Sequence, residues 1–373
     1  MKIAINTRLL LKDRLDGIGW FTYHITRQFA IKHPDVQFVY LFDRPFDPSY
    51  VDFPNVEGVY SGPPARHPLL YIAWYEYTLP RLLKSIDPDL IIHPDGFVSL
   101  SVNKPQLTVI HDLNFEHYPN DLPFSYRKYY RHFFPRFAKK ADRIATVSGY
   151  SKEDISKTYN IPLEKIDVVY NGVNELYLPL MESEKKNTME RYSGNAPYFL
   201  FVGSLHPRKN IVNMFKAFDE FKQVHQTNHK LLIVGEKKWW TSEIETTYKM
   251  LINKADVIFT GRLDINELTK VCGAATCMLY VSIFEGFGVP IIEAMRCGTP
   301  VITSQSTSMP EVASDAALLT DPFDFRKIAN TMGELVNNKA LQLKLREAGI
   351  DRADYFSWDK TSDLLWESAM NLK

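Results

Sequence analysis

Two glutamates with seven residues between them, Glu285 and Glu293, stand in the run VSIFEGFGVPIIEAMRCGTP at positions 281–300. An ionised carboxylate only accepts hydrogen bonds, and its two oxygens can take a pair of adjacent hydroxyls such as a sugar or a ribose offers. Between them Gly286 and Gly288 let backbone come close to a ligand, and Pro290 stands where helices begin. Gly286, Phe287, Gly288 and Val289 would then supply backbone N–H groups at a helix N-terminus, whose partial positive charge suits the diphosphate of a nucleotide. Each feature alone has a plainer use, since glycines make turns and a first-turn glutamate complements the helix dipole. Together in one strand-to-helix run they favour a binding site.

A second basic element follows an apolar run at 198–202, where FVGSLHPRKNI places Arg208 and Lys209 shortly after Gly203. Two cations there could neutralise a departing diphosphate, the task a metal ion performs elsewhere. An isolated Arg-Lys is ordinarily a solvated loop; its place after a strand and beside a glycine argues otherwise. In the first half, Val109-Ile110-His111-Asp112-Leu113 ends an apolar run with His111, whose ring or backbone could bond a sugar hydroxyl, although a lone histidine is more often structural. Asp16-Gly17-Ile18-Gly19-Trp20 does not follow its strand directly and lacks a third glycine three residues after Gly19, so it does not make a dinucleotide fingerprint.

These residues need elements to hold them. Short β-branched and aromatic runs alternate with longer helical patterns, the mark of parallel sheets built from βαβ units. Strands are expected near 2–6, 38–42, 90–92, 107–110, 144–147 and 167–170, and in a second series near 198–202, 231–235, 257–260, 278–281, 301–303 and 317–319. The polar stretch 182–196 reads as a connection. The expected organisation is an N-terminal Rossmann-like domain over 1–180, a C-terminal one over 181–356, and a helix over about 357–373 that packs back on the first. At 373 residues the chain exceeds what one core usually supports.

Forty-four basic and 44 acidic residues cancel, which removes any global field for nucleic acid. Cys272, Cys277 and Cys297 are too few for a disulfide framework or a four-ligand zinc site, and with no signal-peptide pattern at the start the expectation is a soluble protein of the cytoplasm. No run approaches the ~20 apolar residues that span a bilayer. The segment 124–140, FSYRKYYRHFFPRFAKK, mixes aromatics with cations. That composition suits peripheral contact with an anionic membrane and equally an amphipathic helix burying its rings, as do Trp74, Tyr75 and Tyr77. Asp87-Pro88-Asp89 has an Asp-x-Asp form but is placed between a helix and a strand, as a turn.

The run EGFGVPIIEAM resembles the E-x7-E signature of retaining glycosyltransferases of the GT-B fold, especially glycosyltransferase family 4, and the resemblance spans nearly the whole chain. It implies an α/β GT-B architecture, two Rossmann-like domains facing each other across a cleft. It further implies that Glu285 contacts the donor sugar and Glu293 the ribose, that Lys209 binds the diphosphate, and that His111 and the turn with Gly17 and Gly19 face the donor. Many members carry an arginine directly after the first glycine; here Ser204 stands there, and Arg208 is expected to compensate. The base would meet backbone around Gly261 and Arg262. The implied activity is transfer of a hexose, first of all mannose from GDP-mannose, to a glycan or lipid-linked acceptor, with no metal or other cofactor. A nucleotide-sugar epimerase and a non-catalytic nucleotide-sugar binder remain the competing readings, the latter favoured by Ser204.

Overall fold

The computed structural model describes residues 1–12 and 15–372. Residues 13, 14 and 373, which fall in the expected first domain and its closing helix, lie outside that description. The chain divides into two compact units, Met1–Gly172 with Trp358–Lys373, and Val173–Ser357.

Among the described residues of the first unit, seven parallel strands form one sheet: β1 (Lys2–Asn6), β2 (Gln37–Phe42), β3 (Val56–Tyr60), β4 (Leu90–His93), β5 (Gln106–Val109), β6 (Arg143–Thr146) and β7 (Ile166–Val168), in the order β3-β2-β1-β4-β5-β6-β7. Successive side chains alternate between faces and both faces are covered. Ile3 and Ile5 thus pack with Phe38, Tyr40 and Leu365, while Ala4 joins Val39, Leu41, Ile91 and Phe97. β3 was absent from the expected strands: it is an edge strand, interrupted by Gly58 and only partly buried, so it lacks the apolar signature.

The helix Trp358–Met370 belongs to this unit. Leu365 and Ala369 enter the core, Trp366 stacks on His33 at 3.5 Å, and Lys32 pairs with Asp359 and Asp363, each at 2.6 Å. The segment Phe124–Lys140 is one helix that buries Tyr129, Phe134 and Phe137 and leaves Lys128, Arg131, Arg136 and Lys139 outside. Trp74 and Tyr75 are core residues, whereas Tyr77 is exposed. Asp87 closes a helix in the left-handed region and Asp89 accepts from the Lys2 amide at 2.8 Å, so this pair serves a turn.

The second unit holds β8 (Tyr198–Val202), β9 (Lys230–Val234), β10 (Val257–Gly261), β11 (Cys277–Tyr280), β12 (Val301–Ser304) and β13 (Leu318–Thr320), all parallel, in the order β10-β9-β8-β11-β12-β13. It begins at Val173, ahead of the expected boundary at 181, and the stretch read as a connection is the helix Glu182–Ser193. Glu184 accepts from the Met181 amide at 3.0 Å, Gly194 ends the helix with φ 62°, and Arg191 and Tyr192 both bond Glu267. A helix polar nearly all round shows no apolar stripe in its sequence. In each sheet the strand order reverses between two neighbours, β1 and β4 in the first and β8 and β11 in the second. Ligands of such sheets bind outside the carboxyl ends of the strands at this point.

Candidate active site

The loops leaving β8 and β11 meet at the second reversal. Pro207–Lys209 makes a single 3-10 turn, and Asn210, at φ 63°, turns the chain into the helix Ile211–His225. The Asn210 side chain donates to the Val281 carbonyl at 2.9 Å, the Ile283 amide donates to the Arg208 carbonyl at 2.8 Å, and Arg208 Nη1 donates to the Phe284 carbonyl at 3.0 Å. Backbone and side chains thus lace the two loops into one body, which fixes Arg208 and Lys209 against Glu285.

Glu285 is 5% exposed. Its Oε1 accepts from Lys209 Nζ at 2.5 Å and from the Tyr280 hydroxyl at 2.9 Å, and its Oε2 accepts from Arg208 Nη1 at 2.5 Å. Lys209 Nζ also donates to the Tyr280 hydroxyl at 2.6 Å. Burial alone would raise the pKa of Glu285, but the charges of Arg208 and Lys209 hold it down at about 2, so it stays ionised. Burial and the Glu285 charge push the Tyr280 phenol well above its ordinary value, keeping it a neutral donor. Around the next residues Ser308 Oγ donates to the carbonyls of Glu285 and Phe287, at 2.9 and 3.2 Å, and the Glu285 amide donates to Thr307 Oγ1 at 3.3 Å. The result is a largely buried seat holding two cations and one carboxylate.

Gly288 then adopts φ 99° and caps the helix Val289–Arg296 without a side-chain bond, with Val289 and Pro290 in its first turn. The left-handed conformation explains why glycine stands there. Glu293, one turn along, is half-buried and shares a hydrogen bond with the Tyr177 hydroxyl. Burial raises its carboxyl pKa to about 7, against the opposing effect of that bond. Gly286 and Phe287 are buried, whereas Ser204 and Arg262 are exposed and Gly261 ends β10 at φ 73°.

Other anticipated residues lie in the first unit. Asp16 caps the helix Gly17–Lys32 and accepts from the Gly19 amide at 2.9 Å. A Cβ on Gly17 would meet nothing within 4 Å, whereas one on Gly19 would come within 3.1 Å of the Leu9 carbonyl oxygen, so only the second glycine is closely packed. His111 lies just past β5, edge-on to Phe21 at 5.0 Å, and its Nε2 is 2.8 Å from the Pro94 carbonyl. A carbonyl only accepts, so Nε2 carries the proton. Burial lowers the ring's pKa, which leaves a neutral imidazole with Nδ1 as acceptor.

Several site residues escaped the sequence reading. Tyr280 looked like one more apolar strand residue, and Tyr177, Thr307 and Ser308 lie too far along the chain for spacing to connect them. In the first unit, at the β1/β4 reversal, Arg8 is buried and donates through Nε to Asp95 Oδ2 at 2.5 Å, with Tyr75 and Asn6 completing the network. The three cysteines are free and buried. Among the described residues no helix is long and apolar enough to cross a membrane, and no group of three or more His, Cys, Asp or Glu side chains could hold a metal ion.

Comparison with known proteins agrees with this fold. The sequence model described as Glycosyl transferases group 1 matches residues 183–352, and that described as Glycosyltransferase Family 4 matches residues 15–175. O-antigen chain mannosyltransferase B of Escherichia coli is 26% identical over 375 residues, covering 96% of this chain and 97% of that protein. O-antigen chain mannosyltransferase RfbU of Salmonella typhimurium is 32% identical over 275 residues, covering 74% and 72%. Among solved structures, sucrose-phosphate synthase of Thermosynechococcus elongatus superposes with a TM-score of 0.80 at 20% identity, over 100% of this chain and 98% of that one. Anabaena HepE, in complex with UDP and glucose, gives 0.78 at 17%, over 98% of each chain. With both halves matched by family models and the two sheets built as the GT-B fold requires, the chain belongs to glycosyltransferase family 4 and is a glycosyltransferase.

Proposed function

We propose that this enzyme moves a hexose, in the first place mannose from GDP-mannose, onto a hydroxyl of a glycan or lipid-linked saccharide, with retention at the anomeric carbon and without a metal ion. The observation that carries the donor reading is the Glu285 carboxylate held between Arg208 and Lys209 at the β8/β11 reversal. The mannosyltransferase names of two relatives support the choice of sugar. The exposed cations of the helix Phe124–Lys140 support a lipid-linked acceptor reached from the inner face of a membrane.

In this mechanism the bond between the anomeric carbon and the diphosphate oxygen breaks, and its electron pair leaves with the diphosphate. Arg208 and Lys209 take up the developing charge, preorganised by Glu285 so that little rearrangement accompanies the step. The acceptor oxygen bonds the anomeric carbon on the face the diphosphate leaves, and its proton passes to a departing phosphate oxygen. His111 Nδ1 accepts from a sugar hydroxyl, and Glu293 from the ribose. Gly286 to Val289, with Gly17, Gly19, Ser204, Gly261 and Arg262, bring backbone to the donor.

The test is thermal unfolding with GDP, UDP, ADP and their sugar conjugates, with and without a chelator. Selective stabilisation by GDP and GDP-mannose that survives the chelator is expected, about 2.7 kcal/mol at a hundred times the dissociation constant. No shift with any nucleotide would sink the donor site, and a shift abolished by the chelator would sink metal independence. Incubation with donor alone separates the competing readings: a new nucleotide-sugar isomer marks an epimerase, and binding with neither transfer nor hydrolysis marks a binder.

A further inference from the structure

Next to the cation site, the carboxyl ends of β8, β9 and β10 each carry a glycine. Gly203 follows β8, Gly235 follows β9 and Gly261 ends β10; the Gly203 amide donates to the Val234 carbonyl at 3.0 Å and the Gly235 amide to the Gly261 carbonyl at 2.9 Å. A Cβ on Gly235 would stand 1.9 Å from the Gly203 oxygen, so no side chain fits at the end of β9, whereas one on Gly261 would meet nothing within 4 Å. The loop that leaves β9, Gly235 to Thr241, is pinned at both sides of Trp239. Lys237 Nζ sits over the rings of Phe259, Trp240 and Tyr248 at 4.1, 4.8 and 5.9 Å, and Trp240 Nε1 donates to Glu245.

Trp239 itself is held at φ 68°, in a region that bulky residues seldom adopt, and 47% of it stays exposed. Its indole meets the His206 ring at 5.0 Å with 60° between planes, and His206 Nδ1 accepts from the Arg208 amide at 3.3 Å. A strained backbone that displays a large ring beside a binding site points to a role in that site. The order of the strands says which part of a ligand the ring would meet. Glu285 follows β11, Arg208 and Lys209 follow the neighbouring β8, and Trp239 follows β9, the next strand along. With its diphosphate at Arg208 and Lys209, a donor can carry its base on towards the ends of β9 and β10, roughly 5 Å per strand at the usual spacing.

We propose that Trp239 is the stacking platform for the nucleobase of the donor, over the glycine edge of β8, β9 and β10, and so a determinant of nucleotide affinity. This rests on the donor-site reading above. The experiment is calorimetric titration of GDP, UDP, ADP and inorganic pyrophosphate into the unaltered protein and into Trp239→Ala and Trp239→Phe. The nucleotide that binds is expected to lose at least about fivefold in affinity in Trp239→Ala and to stay within about threefold in Trp239→Phe. Pyrophosphate affinity should be the same in all three. Unchanged nucleotide affinity in Trp239→Ala overturns the proposal, as does an equal loss for nucleotide and pyrophosphate, which would mark a merely structural ring. If pyrophosphate and every nucleotide fail to bind the unaltered, folded protein, the donor site itself is refuted, a result distinct from both.

Discussion

At Glu285 three groups that would each be costly to bury alone compensate one another. Its folded pKa of about 2 lies below the ~4.3 of an unfolded glutamate, so the stability it contributes is present above pH ~4.3 and is lost as pH falls towards 2. Glu285→Gln is therefore expected to flatten acid unfolding in that window; a curve parallel to that of the unaltered protein would show that the cations do not hold the carboxylate. The same variant strands Arg208 and Lys209 without a counter-charge and should lower stability at pH 7 by about 3–5 kcal/mol. Lys209→Ala should cut kcat at least ~100-fold while a cooperative thermal unfolding transition is kept; unchanged turnover would remove Lys209 from the reaction. Glu293 has the opposite sign. With its pKa raised to about 7, its contribution is present below ~4.3 and is lost as pH rises through 7, so Glu293→Gln should stabilise the protein at pH 8 and not at pH 4. Denaturant midpoints at the two pH values decide this. That Glu285, Arg208 and Lys209 stand on loops that leave strands was legible because glycine and proline punctuate the chain beside them, whereas Glu293 turns to Tyr177. Tyr280 and Ser308 were not, because their roles depend on contacts that only the folded loops create.

Among elements, the end of β9 leaves no room for a side chain. Gly235→Ala would drive a Cβ into the Gly203 carbonyl, a backbone atom that cannot swing aside, and is expected to cost at least ~1–3 kcal/mol in chemical denaturation. In the first unit Leu365 is fully buried in the core, and Leu365→Ala should cost about 2–5 kcal/mol, with a loss under ~1 kcal/mol showing that the helix Trp358–Met370 is not anchored as described. The elements most readable from sequence were the buried strands, such as Tyr198–Val202, whose apolar runs are dense enough to need no tertiary context. Val56–Tyr60 and Glu182–Ser193 were missed for a common reason: an edge strand and a polar helix get their stability from one partner surface and carry little pattern of their own.

For the whole molecule, two units with separate sheets imply that unfolding need not be a single transition. All residues of the cation cluster lie in the second unit, so a nucleoside diphosphate should raise amide protection in β8–β12 more than in β1–β3; protection spread evenly over both sheets would contradict the assignment. The first unit is also discontinuous, since Trp358–Met370 joins it from beyond Ser357. During synthesis the ribosome finishes the second unit in one uninterrupted stretch, while the first, begun earlier, waits for its closing helix. The order of emergence and the order of completion are thus reversed. Until residues 358–370 have been translated the nascent first sheet exposes the apolar surface that Leu365 and Ala369 will cover, which makes it the half on which a chaperone would act.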